Sequence, residues 1–254
     1  MTEMLTRLAN ASVYETTCFF LKVNVLVFVG SVALCWLLGV VFGDRRLFDR
    51  WEPLRASELF AALVCVMLNV AVSVAGWALW QAGWITVLPP AGLGAIWDCF
   101  AMVIGMDLGM YVFHRIAHVA WVYRILHCFH HRHEVTNPLS LFVLHPLEVI
   151  GFGGLMIVFL IAYSMSLDGL LAYLGLNVLF GTLGHSGVEP FPTRWNQIPG
   201  LRLIGTSTFH AGHHATPSYN FGFYTLVWDK LFGTLDPGYY ERFAAVSKPR
   251  RTDQ

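Results

Sequence analysis

Charged side chains are scarce in this chain. Asp, Glu, Lys and Arg make up 13% of its 254 residues, where a soluble domain carries about 25%. The chain therefore lacks the polar surface to cover a globule of its size in water. Hydrophobic residues reach 56%, aromatic residues 15%, and mean hydropathy is +0.57, so lipid must cover part of the molecule. A disordered chain, a soluble dinucleotide-binding enzyme and a disulfide-framework secreted protein are excluded. Neither sign of charge is in excess, with 16 basic and 16 acidic residues. The footprint of a nucleic-acid partner is absent. Cysteine is sparse as well. Cys18, Cys35, Cys65, Cys99 and Cys128 are odd in number and form no CxxC pair, so neither a disulfide framework nor a zinc knuckle is implied. No standard signal peptide opens the chain. The first apolar run starts near Val23 and is too long for one, so it is expected to stay as a membrane anchor. Histidine is missing from the first 113 residues.

What is present is mostly apolar run. Residues 23–42 and 59–80 carry no charge, and residues 96–113 are interrupted only by Asp98 and Asp107. Each is long enough, or nearly so, to cross a hydrocarbon core of about 30 Å as a helix. Residues 149–163 and 170–183 are shorter, Gly-rich and joined by 164–169. They are expected either as two tight spans or as a re-entrant hairpin buried against the others. Arg45, Arg46, Arg50 and Arg55 follow the first span, Arg115, Arg124 and Arg132 follow the third, and seven more basic residues follow Leu183. The 81–95 and 164–169 connections have none. The positive-inside rule puts the basic segments on the cytoplasmic side. Trp77, Trp80 and Trp84 suit an interfacial belt at the far end. The fold class expected is all-α: a multi-pass transmembrane bundle with a cytoplasmic-side helical cap. Residues 1–95 would hold the first two spans, 96–240 a catalytic domain, and 241–254 a polar, solvated tail.

All eleven histidines lie between positions 114 and 214. His114 and His118 are four apart. His127, His130 and His131 form an HxxHH box, and His210, His213 and His214 form a second; His133, His145 and His185 stand alone. On a helix, residues three or four apart share a face, so each box can present its rings together. Imidazole suits Fe, Zn, Cu and Ni. One tetrahedral ion uses about four ligands, so eight boxed imidazoles require two ions. Asp107, Tyr111, His114 and His118 form one stripe of a helix. A carboxylate there can orient an imidazole through its second N–H, or simply bond a neighbouring helix.

Taken in order, HRIAH at 114–118, VYRILHCFHH at 122–131, HPLE at 145–148, GHSGVE at 184–189, TSTFHAGHH at 206–214 and NFGFYTLVWDKLFGT at 220–234 resemble the fatty acid hydroxylase/sterol desaturase superfamily. The resemblance covers roughly residues 107–235. It implies an integral membrane enzyme with a histidine-rich dimetal centre that hydroxylates or desaturates an unactivated C–H position of a lipid, using O2 and external electrons. It assigns metal ligation to His114, His118, His127, His130, His131, His185, His210, His213 and His214. Some members carry a further His where this chain has Gly181. His145 is then either the tenth ligand or a helix cap. Glu148 and Glu189 either hold imidazole tautomers or are surface or capping carboxylates. Asn220, Trp228 and Asp229 are expected to dock the carboxyl segment onto the bundle. His133 has no counterpart and is expected to be solvated or to support a ligand, so His133→Ala should be mild.

The resemblance also implies two iron ions, although such a site accepts zinc on isolation, and O2 as co-substrate. HPGG, GxGxxG and cysteine-cluster motifs are missing, so the electron donor is expected to be a separate cytochrome b5-like or ferredoxin-like protein with its reductase. Three rivals are weighed. A zinc hydrolase would want the Glu of HExxH, which HRIAH lacks. A membrane haem protein needs few histidines, set across a bundle. A metal transporter would string its ligands along a pore. The lipid itself is left open.

Overall fold

The structure, a computed structural model, describes residues 2–49, 53–132 and 135–248. A short helix α1 (Thr2–Ala9) leads into α2 (Val13–Val41), α3 (Ala56–Gln81), strand β1 (Val87–Leu88) and α4 (Gly94–Ala117). After α4 the chain makes one turn of helix α5 (Ala120–Val122), a π-helical turn (Tyr123–His127) and two 3-10 turns (His130–Arg132 and Ser140–Phe142). Helices α6 (Pro146–Ala162) and α7 (Leu167–Gly184) flank strand β2 (Met165–Ser166), and α8 (Ser207–Ala215), α9 (Val227–Leu231) and α10 (Tyr239–Val246) complete the chain. His133 lies outside the described residues.

Four helices, α2, α3, α4 and α7, are long and apolar enough to cross a membrane, and α6 is a shorter apolar helix. The chain is an integral membrane protein. Hydropathy starts the first span at Val23, yet α2 starts at Val13. A capping box sets that start: Ser12 Oγ accepts from the Glu15 N–H at 3.2 Å, and Glu15 accepts from the Ser12 N–H at 2.8 Å. At 1.5 Å per residue α2 is about 43 Å long, more than the bilayer core, so its first turns carry polar residues.

Close helix packing comes from glycine. A Cβ on Gly105 of α4 would sit 2.0 Å from the Phe159 ring of α6, and one on Gly151 of α6 would sit 2.4 Å from Phe113 of α4. Side chains as large as Phe therefore press their ring edges against the opposite backbone. This small-residue packing suits helices in lipid, where the hydrophobic effect does not drive association. Between α4, α6 and α7 lies a core of Met102, Met106, Met110, Leu160, Tyr173 and Tyr224. Leu26, Trp36, Phe60 and Trp97 face outward, as a lipid-covered surface requires.

The two ends of the bundle differ. At one end the α3–α4 and α6–α7 connections meet, with β1 and β2 pairing in parallel, Val87 to Met165. Asp168 accepts from the Ala91 and Gly92 N–H groups at 3.0 Å each, and Asp98 accepts from the Tyr163 hydroxyl and the Ser166 N–H at 2.8 Å each. The α6–α7 hairpin thus runs the same course as α3–α4 and returns. At the opposite end, Arg46 forms an antiparallel bridge with Val188, and Asn137 donates to Glu58 at 3.2 Å. There a cap of α8, α9 and α10 buries Phe209, Leu226, Tyr239 and Phe243. The expected solvated tail from 241 is corrected on this point. Its first residues continue α10, and Phe243 is fully buried because the helix turns its aromatic stripe onto α8.

Candidate metal centre

The histidines gather where α4, the 120–132 segment, α7 and α8 end at the capped side of the bundle. His114 and His118 stand on the last turn of α4 and just beyond it. His185 is the residue that follows α7. Helix α8 is started by Thr206, whose hydroxyl accepts from the Phe209 N–H, and by Glu189, which accepts from the Thr208 N–H at 2.9 Å and from its hydroxyl. Glu189 thereby fixes the helix that carries His210, His213 and His214, without touching an imidazole itself among its hydrogen bonds.

Two groups result. His114, His118, His127, His131 and His213 form one; His130, His185, His210 and His214 form the other. Within each, the ligand atoms lie within 4.8 Å of one another. Each HxxHH box is divided between them. His127 and His131 enter the first group and His130 the second; His210 and His214 enter the second and His213 the first. Helix geometry explains the division. At 3.6 residues per turn, position i+4 lies about 40° from i, while i+3 lies about 60° to the other side. The first box makes the same division on a π-helical and a 3-10 turn rather than on the single α-helical face that its spacing predicts.

The rings point their Nε2 atoms at each other. Nε2 to Nε2 separations are 3.1 Å for His114–His127, 3.1 Å for His127–His131, 3.1 Å for His118–His213 and 3.0 Å for His131–His213. They are 3.2 Å for His185–His210 and for His210–His214. Five of the outward nitrogens are held by acceptors, whereas Nδ1 of His131 and of His214 is buried without one. His114 Nδ1 donates to the Phe221 carbonyl at 2.9 Å, His213 Nδ1 to Tyr219 at 2.7 Å, His130 Nδ1 to Val143 at 3.2 Å and His185 Nδ1 to Gly181 at 2.8 Å; His127 Nδ1 pairs with the Glu148 carboxylate. A carbonyl accepts only, so at His114, His213, His130 and His185 the proton sits on Nδ1 and the lone pair on Nε2; an ionised Glu148 does the same for His127. Burial, reinforced at most of the rings by neighbouring imidazoles, holds His118, His127, His130, His131, His185, His210, His213 and His214 below the ordinary imidazole value and keeps them neutral. Neutral imidazole is the form that ligates a metal.

Lone pairs facing each other across about 3 Å repel unless a cation lies between them. With metal–nitrogen bonds of about 2.1 Å, donors at roughly 90° on one ion lie about 3.0 Å apart and tetrahedral donors about 3.4 Å apart. The observed spacings match the former, and five donors in one group exceed a tetrahedral set. The residues fit a dimetal site with one ion per group.

Two of the expected site residues lie elsewhere. His145 is in neither group; it caps α6, accepting from the Leu147 N–H at 3.3 Å, while Glu148 closes the capping box. Among the described residues Asp107 hydrogen-bonds to no imidazole. It accepts from the Tyr224 N–H at 2.9 Å, the Thr225 N–H at 3.2 Å and the Thr225 hydroxyl. It sits nearly two turns before His114, where the 220–226 strand of chain crosses α4. The carboxylate that does hold an imidazole is Glu148.

Sequence reasoning misses the backbone acceptors. The carbonyls of Tyr219 and Phe221 are aimed by a tight fold around Asp229, which accepts from the Phe221 and Gly222 N–H groups at 2.8 and 2.7 Å and from Thr234 at 2.7 Å. Asn220 takes a left-handed φ of 60° and donates to the Phe209 carbonyl at 3.0 Å. The NFGFYTLVWDKLFGT segment is the only trace of this in the sequence.

Space adjoins each group. A cavity of about 830 Å³ opens beside the first, lined by His118, Tyr123, Arg115, Arg124, Ser218 and Phe221 among others. Beside the second is a narrow space of about 10 Å³ against His185 and His210, walled by Phe180, Leu183, Phe209 and Phe223.

A family model described as fatty acid hydroxylase matches residues 99–234, the stretch that contains both groups. A cholesterol 25-hydroxylase-like protein of Danio rerio is 29% identical over 152 residues, covering 58% of this chain and 58% of that protein. A putative methylsterol monooxygenase of Dictyostelium discoideum is 32% identical, covering 54% of this chain and 49% of that protein. A Delta(7)-sterol 5(6)-desaturase of Candida albicans is 24% identical, covering 88% and 58%. The matches thus take in about half the length of these curated relatives. No solved structure matches the chain significantly.

Proposed function

The chain belongs to the fatty acid hydroxylase family, and from that premise we propose that it is a membrane-bound di-iron oxidoreductase that hydroxylates or desaturates an unactivated C–H position of a lipid, a sterol, fatty acyl chain or related molecule, with O2 and electrons from a separate donor. The observation that carries this reading is the convergence of Nε2 lone pairs from four chain segments into two groups. Two iron ions, when bound, supply the redox reactivity toward O2 that zinc lacks.

The chain's own residues do the rest. His114, His118, His127, His131 and His213 would hold one ion, and His130, His185, His210 and His214 the other. Glu148 and the carbonyls of Tyr219, Phe221, Val143 and Gly181 keep the protons on Nδ1, so that every ring they hold presents its lone pair inward. Asp107 and Asp229 are positioning residues that shape the 219–225 segment. The apolar helices bring a lipid to the site from the bilayer and keep bulk water away. The arginines clustered at the histidine end support a cytoplasmic position for that end, where a cytochrome b5-like or ferredoxin-like donor could reach it. Among the described residues no carboxylate joins either group, which leaves a hydrolytic reading without its general base.

The test is metal content and lipid profile together. Purified wild-type protein should carry two irons per chain without a haem Soret band. Cells expressing it should accumulate a lipid heavier by one oxygen or lighter by two hydrogens. His130→Ala and His213→Ala should each lose metal and product while the helices still insert. Full oxygenase activity in either variant overturns the ligand assignment.

A further inference from the structure

We propose that the open cavity beside the five-histidine group seats the headgroup of the lipid substrate, and that Arg115 and Arg124 select a lipid with an anionic head, a carboxylate or a phosphate. The inference rests on the lipid-oxidation reading only in calling the bound lipid a substrate.

The cavity measures about 830 Å³, within the range of roughly 300–1,000 Å³ typical of small-molecule sites. His118 lines it and is partly buried, while Arg115 and Arg124 line it and are exposed. The histidine therefore marks the inner end and the guanidiniums the mouth. Neither arginine pairs with a carboxylate among the described residues. Arg115 lies over the Phe221 ring at 4.9 Å and reaches the Tyr111 hydroxyl only at 3.5 Å. Arg124, nine residues further along the chain, contributes a second cation to the lining. The imidazoles beneath are neutral, and a bound metal ion would add positive charge. Among the described residues that line the cavity no carboxylate balances the two guanidiniums, so charge complementarity calls for an anion in the mouth.

The surroundings say what carries that anion. Ile116, Val119, Trp121 and Ile125, the neighbours of the two arginines in the chain, are all exposed large hydrophobics. Val119 is also part of the cavity lining, and exposed apolar side chains that alternate with the two arginines along the chain fit an amphiphile entering from the bilayer surface, its head on the guanidiniums and its chain against these side chains. A small soluble anion has no use for these apolar side chains. An acidic protein surface would need basic groups spread over about 800 Å², not two inside a cavity.

The experiment uses metal-loaded full-length protein in neutral phosphatidylcholine nanodiscs. Equilibrium binding of radiolabelled palmitate is compared with that of hexadecanol, which has the same chain and an uncharged head, at a pH where palmitate is ionised. Hexadecyl phosphate serves as the second anionic probe. Wild-type protein is expected to prefer an anionic probe over hexadecanol by about tenfold or more. The double variant Arg115→Gln/Arg124→Gln should bind all three alike while keeping its metal, measured by elemental analysis. Arg115→Lys/Arg124→Lys should restore much of the preference, which a merely structural role for the arginines would not predict. Millimolar acetate or inorganic phosphate should not displace palmitate; displacement would show a site for free anions and overturn the lipid assignment. Binding of palmitate and hexadecyl phosphate no tighter than that of hexadecanol by wild-type protein, or a preference that survives in the glutamine variant, overturns the proposal. So does a glutamine variant that keeps the preference but is reduced more slowly by a donor protein, because the arginines would then serve donor docking. Product formation with O2 is followed in the same samples. A protein that oxidises lipid without head preference refutes the headgroup site alone, and one that binds no metal and forms no product refutes the oxidoreductase reading.

Discussion

A buried ring that must stay neutral is costly to leave without its cation, and the histidines show this individually. In the metal-free protein each of these imidazoles sits in a fold that holds it below its ordinary value of 6.5, His185 at about 4 and His131 at about 3. The unfolded chain takes up those protons at the ordinary value, so it binds more protons than the fold between these limits. Stability of the metal-free protein is therefore expected to fall as pH drops through about 6.5 and to keep falling until the folded rings protonate. Thermal unfolding of chelator-treated protein at several pH values checks this; a midpoint that rises on acidification contradicts it. Glu148 is the second case. Glu148→Gln keeps the shape of the side chain but replaces the carboxyl on His127 Nδ1, which burial pushes up to about 8 and a bound metal would help ionise, with an amide that cannot ionise. It should weaken metal binding about 10–100-fold, read by competition with a chelator, with the helices intact. His145, three residues away, shows why spacing alone misleads at this scale. An imidazole can ligate or cap, and only the start of α6 at Pro146 makes it a cap.

Helices were the readable part. Long uncharged runs have no other stable home in lipid, so α3, α4 and α7 begin and end within a few residues of the hydropathy limits. The exceptions have local causes: the Ser12–Glu15 capping box lengthens α2, and the middle histidine box abandons the α-helix to divide its rings. The partners of Asp107 were unreadable, because they are backbone N–H groups more than a hundred residues away. Glycine offers a matched test at this scale. Gly105 and Gly154 are both helical, so Ala gains the same intrinsic propensity at either, about 1 kcal/mol. A Cβ at Gly154 meets nothing within 4 Å, whereas one at Gly105 runs into Phe159. Gly154→Ala should leave thermal stability unchanged or raised. Gly105→Ala should lower it by about 1–3 kcal/mol relative to that control, measured by unfolding in detergent.

The whole molecule is held by two different means. Inter-helix packing and the Asp98 and Asp168 bonds secure the far end without any ion. The capped end draws its histidines from α4, the 120–132 segment, α7 and α8, so bound metal would cross-link pieces of chain that otherwise meet through short contacts. Removing metal should raise hydrogen exchange at 119–132 and 205–226 and leave α3 and α6 protected; uniform loosening of the bundle would contradict this. The divided boxes carry one more consequence. Because each three-histidine box contributes to both groups, seating one ion fixes the backbone that presents the other's ligands. The pair would then fill cooperatively, and a half-metallated protein is expected to be a scarce species at every metal concentration.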